Sequence, residues 1–275
     1  MLIHPWIGAI TKGLMKTLNP EKKLSEFFNC LKKSQSRVLL LDYDGTLAPF
    51  RVERDKALPY PGVAEVLKQL IQDGGTRLVL ISGRRLDDLI PLLRLERLPE
   101  IWGSHGGERL LLDGSYQKAA LSKAAAEGLD ASAGWVAGMG WSGLLESKPF
   151  SLALHWRGMK SGEMEEMRAR VLTYLPQLVE GTDLSLHEFD GGLELRPPGI
   201  TKGEAVETIL AEMQGETVSA YLGDDLTDED AFAAMKGRGL GVLVRKELRE
   251  TRADLWLRPP EELLDFLKRW QTATS

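Results

Sequence analysis

The sequence predicts an α/β protein with a doubly wound parallel-sheet core, interrupted by an inserted α+β segment. Continuous apolar runs at Arg37–Leu41, Arg77–Ile81 and Val218–Leu222 read as strands buried on both faces. Helical stretches alternate with them in the order expected of a parallel sheet. Between 113 and 199 this rhythm stops, and it resumes after Pro197-Pro198-Gly199.

Residues 1–34 are read as an N-terminal arm with a helix. Met1–Pro20 mixes apolar residues with Lys12 and Lys16 and suits a helix or a loose arm, and Glu21–Lys33 has helical spacing. The core is expected over 35–112 and 200–275. The strand ending in Asp42 is followed by an amphipathic helix over Pro61–Asp73, with Val63, Val66, Leu67, Leu70 and Ile71 on one stripe. The strand Arg77–Ile81 breaks at Ser82-Gly83, and Leu86–Leu95 reads as a helix despite Pro91. The insertion, 113–199, is expected to hold helices at Lys118–Met139 and Glu163–Leu175. Its strands are expected at Ser151–Arg157, Leu184–Phe189 and Gly192–Arg196. The core returns with helix Lys202–Met213, strand Val218–Leu222, helix Asp228–Ala234 and strand Gly241–Val244.

The composition narrows the functional classes. Of 275 residues, 43% are hydrophobic and 27% charged, the balance of a soluble globular chain. The net charge of −5 is spread along the chain without a basic block, which argues against nucleic-acid or membrane-surface partners. No stretch reaches the ~20 apolar residues of a membrane span, and the run Pro5–Ile10 is too short for a signal-peptide core. Cys30 is the only cysteine, so an internal disulfide and Cys-based metal clusters are excluded, and it reads as a packing residue. A cytoplasmic monomer acting on a small molecule is the expectation.

Polar residues gather where predicted strands end. The first strand runs into Asp42-Tyr43-Asp44-Gly45-Thr46 and a late one into Gly223-Asp224-Asp225-Leu226-Thr227-Asp228. Ligands bind beyond the carboxyl ends of such strands. Carboxylates collected there repel one another unless a cation intervenes, and an all-oxygen set suits Mg²⁺. Ser82 ends a third strand, and Lys202 opens a helix just after Gly199, where ammonium and helix N-terminus can both face an anion. These parts fit phosphoryl transfer. Asp42 can attack phosphorus, and Asp44 can serve as acid and base. The backbone near Asp42–Gly45 and Ser82 can donate to phosphate oxygens, with Lys202 and Mg²⁺ balancing charge.

In this order the motifs resemble the four signatures of the haloacid dehalogenase superfamily. That resemblance implies a Rossmann-like core, a covalent aspartyl-phosphate on Asp42, and Mg²⁺. It implies Asp42, Asp44 (through its backbone carbonyl), Asp224 and Asp228 around the metal. Thr46, Ser82, Gly83 and Lys202 are implied at the phosphate. The acidic residue at 44 implies a phosphatase, since a dehalogenase needs no protonated carboxyl at the leaving oxygen. The insertion falls where this superfamily carries a cap domain that closes over substrate.

Three further segments resemble the trehalose-6-phosphate phosphatases: His105-Gly106-Gly107-Glu108; Glu146-Ser147-Lys148 through His155-Trp156-Arg157; and Glu194-Leu195-Arg196-Pro197 leading to Lys202-Gly203. Trp156 stands where Tyr is usual, and Ser104 where Asn is common. His105, Glu108, Glu146, Lys148, His155, Arg157, Glu194 and Arg196 have the donor and acceptor chemistry that a disaccharide phosphate demands, and are the expected sugar contacts. Trp135, Trp141 and Trp156 are read as core residues rather than stacking platforms. Another sugar or glycosyl-polyol phosphate, such as glucosylglycerol phosphate, is the alternative substrate. A non-catalytic regulatory domain is the alternative function, but Asp42, Asp44 and Lys202 are all present. The short stretch before the first strand is expected to carry no synthase domain.

Overall fold

The computed structural model describes residues 15–19, 24–51, 53–189 and 191–275. Most of the expected arm, 1–14 and 20–23, lies outside them. Within the described part the chain forms β1 (Lys16–Thr17), α1 (Leu24–Lys33), β2 (Ser36–Leu41), α2 (Val63–Asp73), β3 (Arg77–Ile81), α3 (Leu86–Leu93), β4 (Glu100–Gly103), β5 (Glu108–Leu110) and β6 (Tyr116–Lys118). Then follow α4 (Lys123–Gly138), β7 (Leu145–Ser147), β8 (Leu152–His155), α5 (Ser161–Leu178), β9 (Ser185–Phe189) and β10 (Gly192–Arg196). Last come α6 (Lys202–Ala211), β11 (Thr217–Gly223), α7 (Glu229–Ala234), β12 (Leu240–Val244), β13 (Leu255–Leu257) and α8 (Glu261–Thr274).

The larger sheet has the order β1-β13-β12-β11-β2-β3-β4-β5-β6. Its centre, from β13 to β4, is parallel, while β1, β5 and β6 are antiparallel edges. Strand side chains alternate between two apolar layers. Leu39 and Leu41 face the layer built by α1, α2, α3 and α8. Val38 and Leu40 face the layer built by α6 and α7. Strands covered on both faces need apolar residues at every position, hence the unbroken runs. Chain order reverses between β2 and β11, which opens a crevice at their carboxyl ends.

The second sheet, β7-β8-β10-β9, is wholly antiparallel. Its apolar layers contain Val136 of α4 together with Met167, Val171 and Leu175 of α5. Trp156 is buried there, with Trp135 and Trp141 packed edge to face beside it. The larger sheet runs past the expected boundary at 112 to Lys118, because β6 pairs with β5. The predicted helix from Lys118 accordingly starts later, at Lys123, where the Ser122 hydroxyl caps it by accepting from the Ala125 amide. The end of the expected arm corrects in the same way, since Lys16–Thr17 pairs with β13 as a strand. No helix of the described residues is long and apolar enough to cross a membrane.

Candidate active site

Register fixes the centre of the site. Leu41 lies opposite Leu222 on one side and Leu80 on the other. Asp42, Asp224 and Ser82 therefore emerge from neighbouring strand ends. The Asp42 amide still donates to Leu222 O at 2.9 Å, which extends the pairing into the site.

Asp42 is buried, and its two oxygens have different partners. Oδ1 accepts from Lys202 Nζ at 2.7 Å, and Oδ2 accepts from Thr46 Oγ1 at 3.0 Å. Lys202, also buried, donates equally to Asp228 Oδ1 at 2.7 Å. It sits at the first position of α6, where Thr201 caps the helix and a cation is normally disfavoured. The two carboxylates outweigh that preference. Asp228 has further partners besides Lys202. Tyr221 Oη also donates to Oδ1, and the Asp224 and Asp225 amides donate to Oδ2 at 2.9 and 2.8 Å.

Asp224 is different. It is buried, and its Oδ1 has no hydrogen-bond partner. One oxygen each of Asp42, Asp224 and Asp228 lie within 4.8 Å of one another. Burial, joined by Asp42 and Asp228, pushes Asp224 well above the usual carboxylate range. Burial likewise pushes Asp42 up to about 7, with Lys202 opposing and Asp228 and Asp44 adding to the push. Ionised together, three carboxylates face a single ammonium. This donor set, with one orphaned buried oxygen, fits a hard divalent cation. Gly45 completes the enclosure. Its φ is +84°, and a Cβ there would stand 2.1 Å from Asp224 Oδ2, so only glycine fits.

The Asp44 side chain points elsewhere. Arg84 holds it bidentately, Nε to Oδ2 and Nη2 to Oδ1, both at 2.7 Å. Its carboxylate is thus outside the three-carboxylate cluster. Ser82 is fully buried behind Gly83 and accepts from the Arg84 amide at 3.1 Å, which leaves its hydroxyl proton to donate. Gly83 allows the His105 ring to lie against this strand end, since a Cβ would meet His105 Nε2 at 2.6 Å.

A cavity of about 590 Å³ opens over the cluster, between the core and the second sheet. From the core it is lined by Asp42, Asp44, Gly83, Lys202 and Asp224. The expected sugar contacts His105, Glu146, Lys148, His155, Arg157 and Glu194 also line it. Glu108 and Arg196 do not, and their expected place in the wall is corrected by their partners. Glu108 is buried accepting from Ser104 Oγ at 2.6 Å and Tyr116 Oη at 3.1 Å. Arg196 is buried behind Glu194, at 3.4 Å.

Glu194 joins the two sheets. Its carboxylate takes Lys148 Nζ at 2.9 Å and Ser151 Oγ at 2.7 Å on one oxygen, and His105 Nε2 at 3.0 Å on the other. Despite burial, His105, Lys148 and Arg196 hold it well below the usual carboxylate range. Burial lowers His105 to about 4, outweighing the pull of Glu194, with Lys148 and Arg196 pushing the same way. The imidazole is therefore neutral and donates from Nε2. Ser104 and His105 both adopt left-handed backbone, φ +50° and +58°. Such strain in side-chain-bearing residues concentrates at functional sites.

Several wall residues escaped the sequence reading, among them Phe50, Arg51, Arg54, Arg84 and Phe189. Arg54 Nη1 reaches Glu146 Oε2 at 2.5 Å, and His155 Nε2 meets the same oxygen at 2.8 Å. Burial raises the Glu146 pKa, but His155, Lys148 and Arg54 together take it down to about 2. The Arg157 guanidinium lies over the Phe50 ring at 4.3 Å. The Arg54 carbonyl also accepts from Arg84 Nη1 at 2.8 Å. Phe50 and Arg54 thus touch residues of the second sheet, and Arg54 also holds the arginine that grips Asp44. Arg84 had a readable signal, a cation directly after Ser82-Gly83 at a strand end, whereas Arg54 opens a single 3-10 turn, Arg54–Lys56, whose place over the site local sequence does not set.

A parallel sheet with a nucleophile-type aspartate, a bridging lysine and an acidic loop at its switch point defines a haloacid-dehalogenase-type hydrolase. The fold agrees. A haloacid dehalogenase-like hydrolase from B. subtilis superposes with a TM-score of 0.59 at 14% identity, covering 84% of this chain and 98% of that one. The C-terminal domain of the C. albicans trehalose-6-phosphate phosphatase superposes with a TM-score of 0.77 at 22% identity, over 94% and 99% of the two chains. Residues 40–254 match the trehalose-phosphatase family, and the chain belongs to it. The trehalose-6-phosphate phosphatase of Escherichia coli is 30% identical over 236 residues, 84% of this chain and 85% of that protein.

Proposed function

We propose that this chain hydrolyses trehalose 6-phosphate to trehalose and phosphate through a phosphoenzyme. The observation that carries the reading is Lys202 bridging Asp42 and Asp228 beside the orphaned oxygen of Asp224. Family membership supports the substrate.

A carboxylate oxygen of Asp42 bonds to phosphorus as the P–O bond to the sugar breaks, and Asp44 gives its proton to the leaving oxygen. Water then attacks the aspartyl-phosphate, Asp44 takes back a proton, and phosphate leaves as the Asp42 carboxylate is restored. Arg84 occupies both Asp44 oxygens, so Asp44 must leave that fork to reach the leaving oxygen. Lys202 orients Asp42 and offsets the charge of the transferring group, while Thr46 fixes the second oxygen. Ser82 and the backbone near Gly83 are assigned to phosphate oxygens. Asp42, Asp224, the Asp44 carbonyl and, directly or through water, Asp228 are the residues that would hold Mg²⁺. When bound, Mg²⁺ supplies neutralisation of phosphate charge.

The segment between β6 and α6 acts in this reading as the cap, and its Glu146, Lys148, His155 and Arg157 form the sugar-facing set together with His105 of the core. A cytoplasmic, monomeric enzyme is part of the proposal; Cys30, expected as a packing residue, is instead exposed, and its lone thiol suits a reducing compartment. Phosphate release from trehalose 6-phosphate, compared with glucose 6-phosphate and glucosylglycerol phosphate with and without Mg²⁺, tests it. Mg²⁺-dependent preference for trehalose 6-phosphate is expected. A preference for another ester would overturn the substrate, and full turnover by Asp42→Asn would overturn the covalent route.

A further inference from the structure

We infer that Arg249, which does not itself line the substrate cavity, is a positioning residue for the metal-binding loop. The inference rests on the phosphatase reading above. The loop Gly223–Asp228 must hold Asp224 with one oxygen bare, inside a cluster of like charges. Two sets of contacts accomplish this from opposite sides. On the inner side, Asp228 Oδ2 accepts from the amides of Asp224 and Asp225. On the outer side, Arg249 takes the carbonyls of the same two residues. Its Nη2 donates to Asp225 O at 2.7 Å and Asp224 O at 3.3 Å. Arg245 Nη1 adds a longer contact to Asp224 O at 3.4 Å. The peptide groups that set the direction of the Asp224 side chain are therefore held through both donors and acceptors.

Arg249 is itself fixed. Its Nη1 donates to Glu229 Oε1 and, at 2.7 Å, to the Glu250 carbonyl. Glu229 opens α7 directly behind the loop and also accepts from Thr251 Oγ1 and the Arg252 amide, both at 2.8 Å. Side-chain exposures of 17% for Arg249 and 19% for Glu229 separate this pair from the solvent-flexed ion pairs that contribute little. A planar fork spanning carboxylate and carbonyls is a task for guanidinium, which a lysine ammonium cannot reproduce. Removing the fork frees the Asp224–Asp225 carbonyls and lets the carboxylate turn away from its charged neighbours. The expected consequence is weaker cation binding, with the sugar-facing wall untouched.

The test is isothermal titration of Mg²⁺ into the full chain without substrate, comparing wild type with Arg249→Ala, Arg249→Lys and Glu229→Gln. The half-saturating Mg²⁺ concentration and the substrate KM at saturating Mg²⁺ are measured in parallel. Arg249→Ala should weaken Mg²⁺ binding about 10–100-fold, the usual scale when a group orienting a metal ligand is lost. Lysine should fail to restore it, Glu229→Gln should shift it in the same direction, and KM should hold. Wild-type Mg²⁺ affinity in Arg249→Ala, or in a folded Glu229→Gln if the alanine variant does not fold, overturns the inference. A KM rising in step with the Mg²⁺ requirement would also overturn it, as a general loss of structure. Absence of Mg²⁺ binding by the wild type would instead overturn the metal reading on which it rests.

Discussion

Replacing Lys202 by Met removes the one ammonium among three buried carboxylates while keeping most of the side-chain volume. In the structure that ammonium makes two 2.7 Å contacts, to Asp42 and Asp228, and is 3% exposed. Neither carboxylate then has a cation, and water cannot reach them freely. Breaking a buried ion pair by deleting one partner costs about 3–5 kcal/mol, because the surviving charge stays buried. In a chain of this size that corresponds to a fall in Tm of roughly 10 °C. Two conditions should reduce the loss: Mg²⁺, which replaces the missing charge, and mildly acid pH, which protonates the carboxylates. Thermal unfolding at pH 8 without metal, at pH 8 with Mg²⁺, and at pH 5.5 measures all three. With Mg²⁺ present, turnover should fall at least ~10³-fold, since the transferring phosphate loses its lysine. A variant with wild-type Tm at pH 8 without metal would refute the reasoning, because the ammonium could not then be neutralising the cluster.

His105→Asn tests the pH dependence; Asn tolerates the left-handed backbone at this position. The native His105 titrates near 4 against an ordinary 6.5, so between these values the unfolded chain binds the proton that the native state refuses. Its contribution, up to ~3 kcal/mol, is full above about 6.5 and lost as pH falls to about 4; wild-type Tm should drop more steeply over that window than the variant's, and parallel profiles would contradict this. Glu146→Gln, which breaks the pairing with Arg54 and His155, should lower kcat/KM for trehalose 6-phosphate about tenfold and leave p-nitrophenyl phosphate hydrolysis nearly unchanged; an equal loss on both esters would assign Glu146 to the fold. Glu194→Ala strands Lys148 and Arg196 and should cost about 3–5 kcal/mol in urea unfolding, with losses on both esters; a stable variant impaired only on the sugar ester would make Glu194 a direct sugar ligand.

The legible parts of the sequence were those where one residue type serves one physical demand. Val38–Leu41 and Leu78–Ile81 are apolar throughout because both faces are covered, and Asp42, Asp224, Asp228 and Lys202 follow such strands or open a helix. Strand β4 escaped because it is short and begins with a charge. Glu100 is buried there only because Arg77 and Arg109 pair with it at 2.8 Å. The segment Leu255–Leu257 is too short to show a period, and the edge strands β5 and β6 owe their state to their neighbours. The site followed the same rule. Asp42, Lys202 and the acidic loop were readable from position, but the Arg84 hold on Asp44 and the Arg54 grip on Glu146 depend on how distant loops meet. Glu108 and Arg196 have the chemistry of sugar ligands yet spend it inside the protein, a distinction that residue type alone cannot carry.

The pairing of β2 with β11 also bears on how the enzyme comes to be made. Asp42, the proposed nucleophile, follows the first central strand, while its lysine and the acidic loop arrive only after the whole of the second sheet has been threaded. A nascent chain halted before α6 carries the Asp42 carboxylate with neither Lys202 nor the acidic loop to complete the cluster. The same division makes the chain a natural candidate for splitting. A cut at the exposed Gly158, between β8 and α5, leaves each fragment with one half of the chemistry, and hydrolysis would then report their reunion.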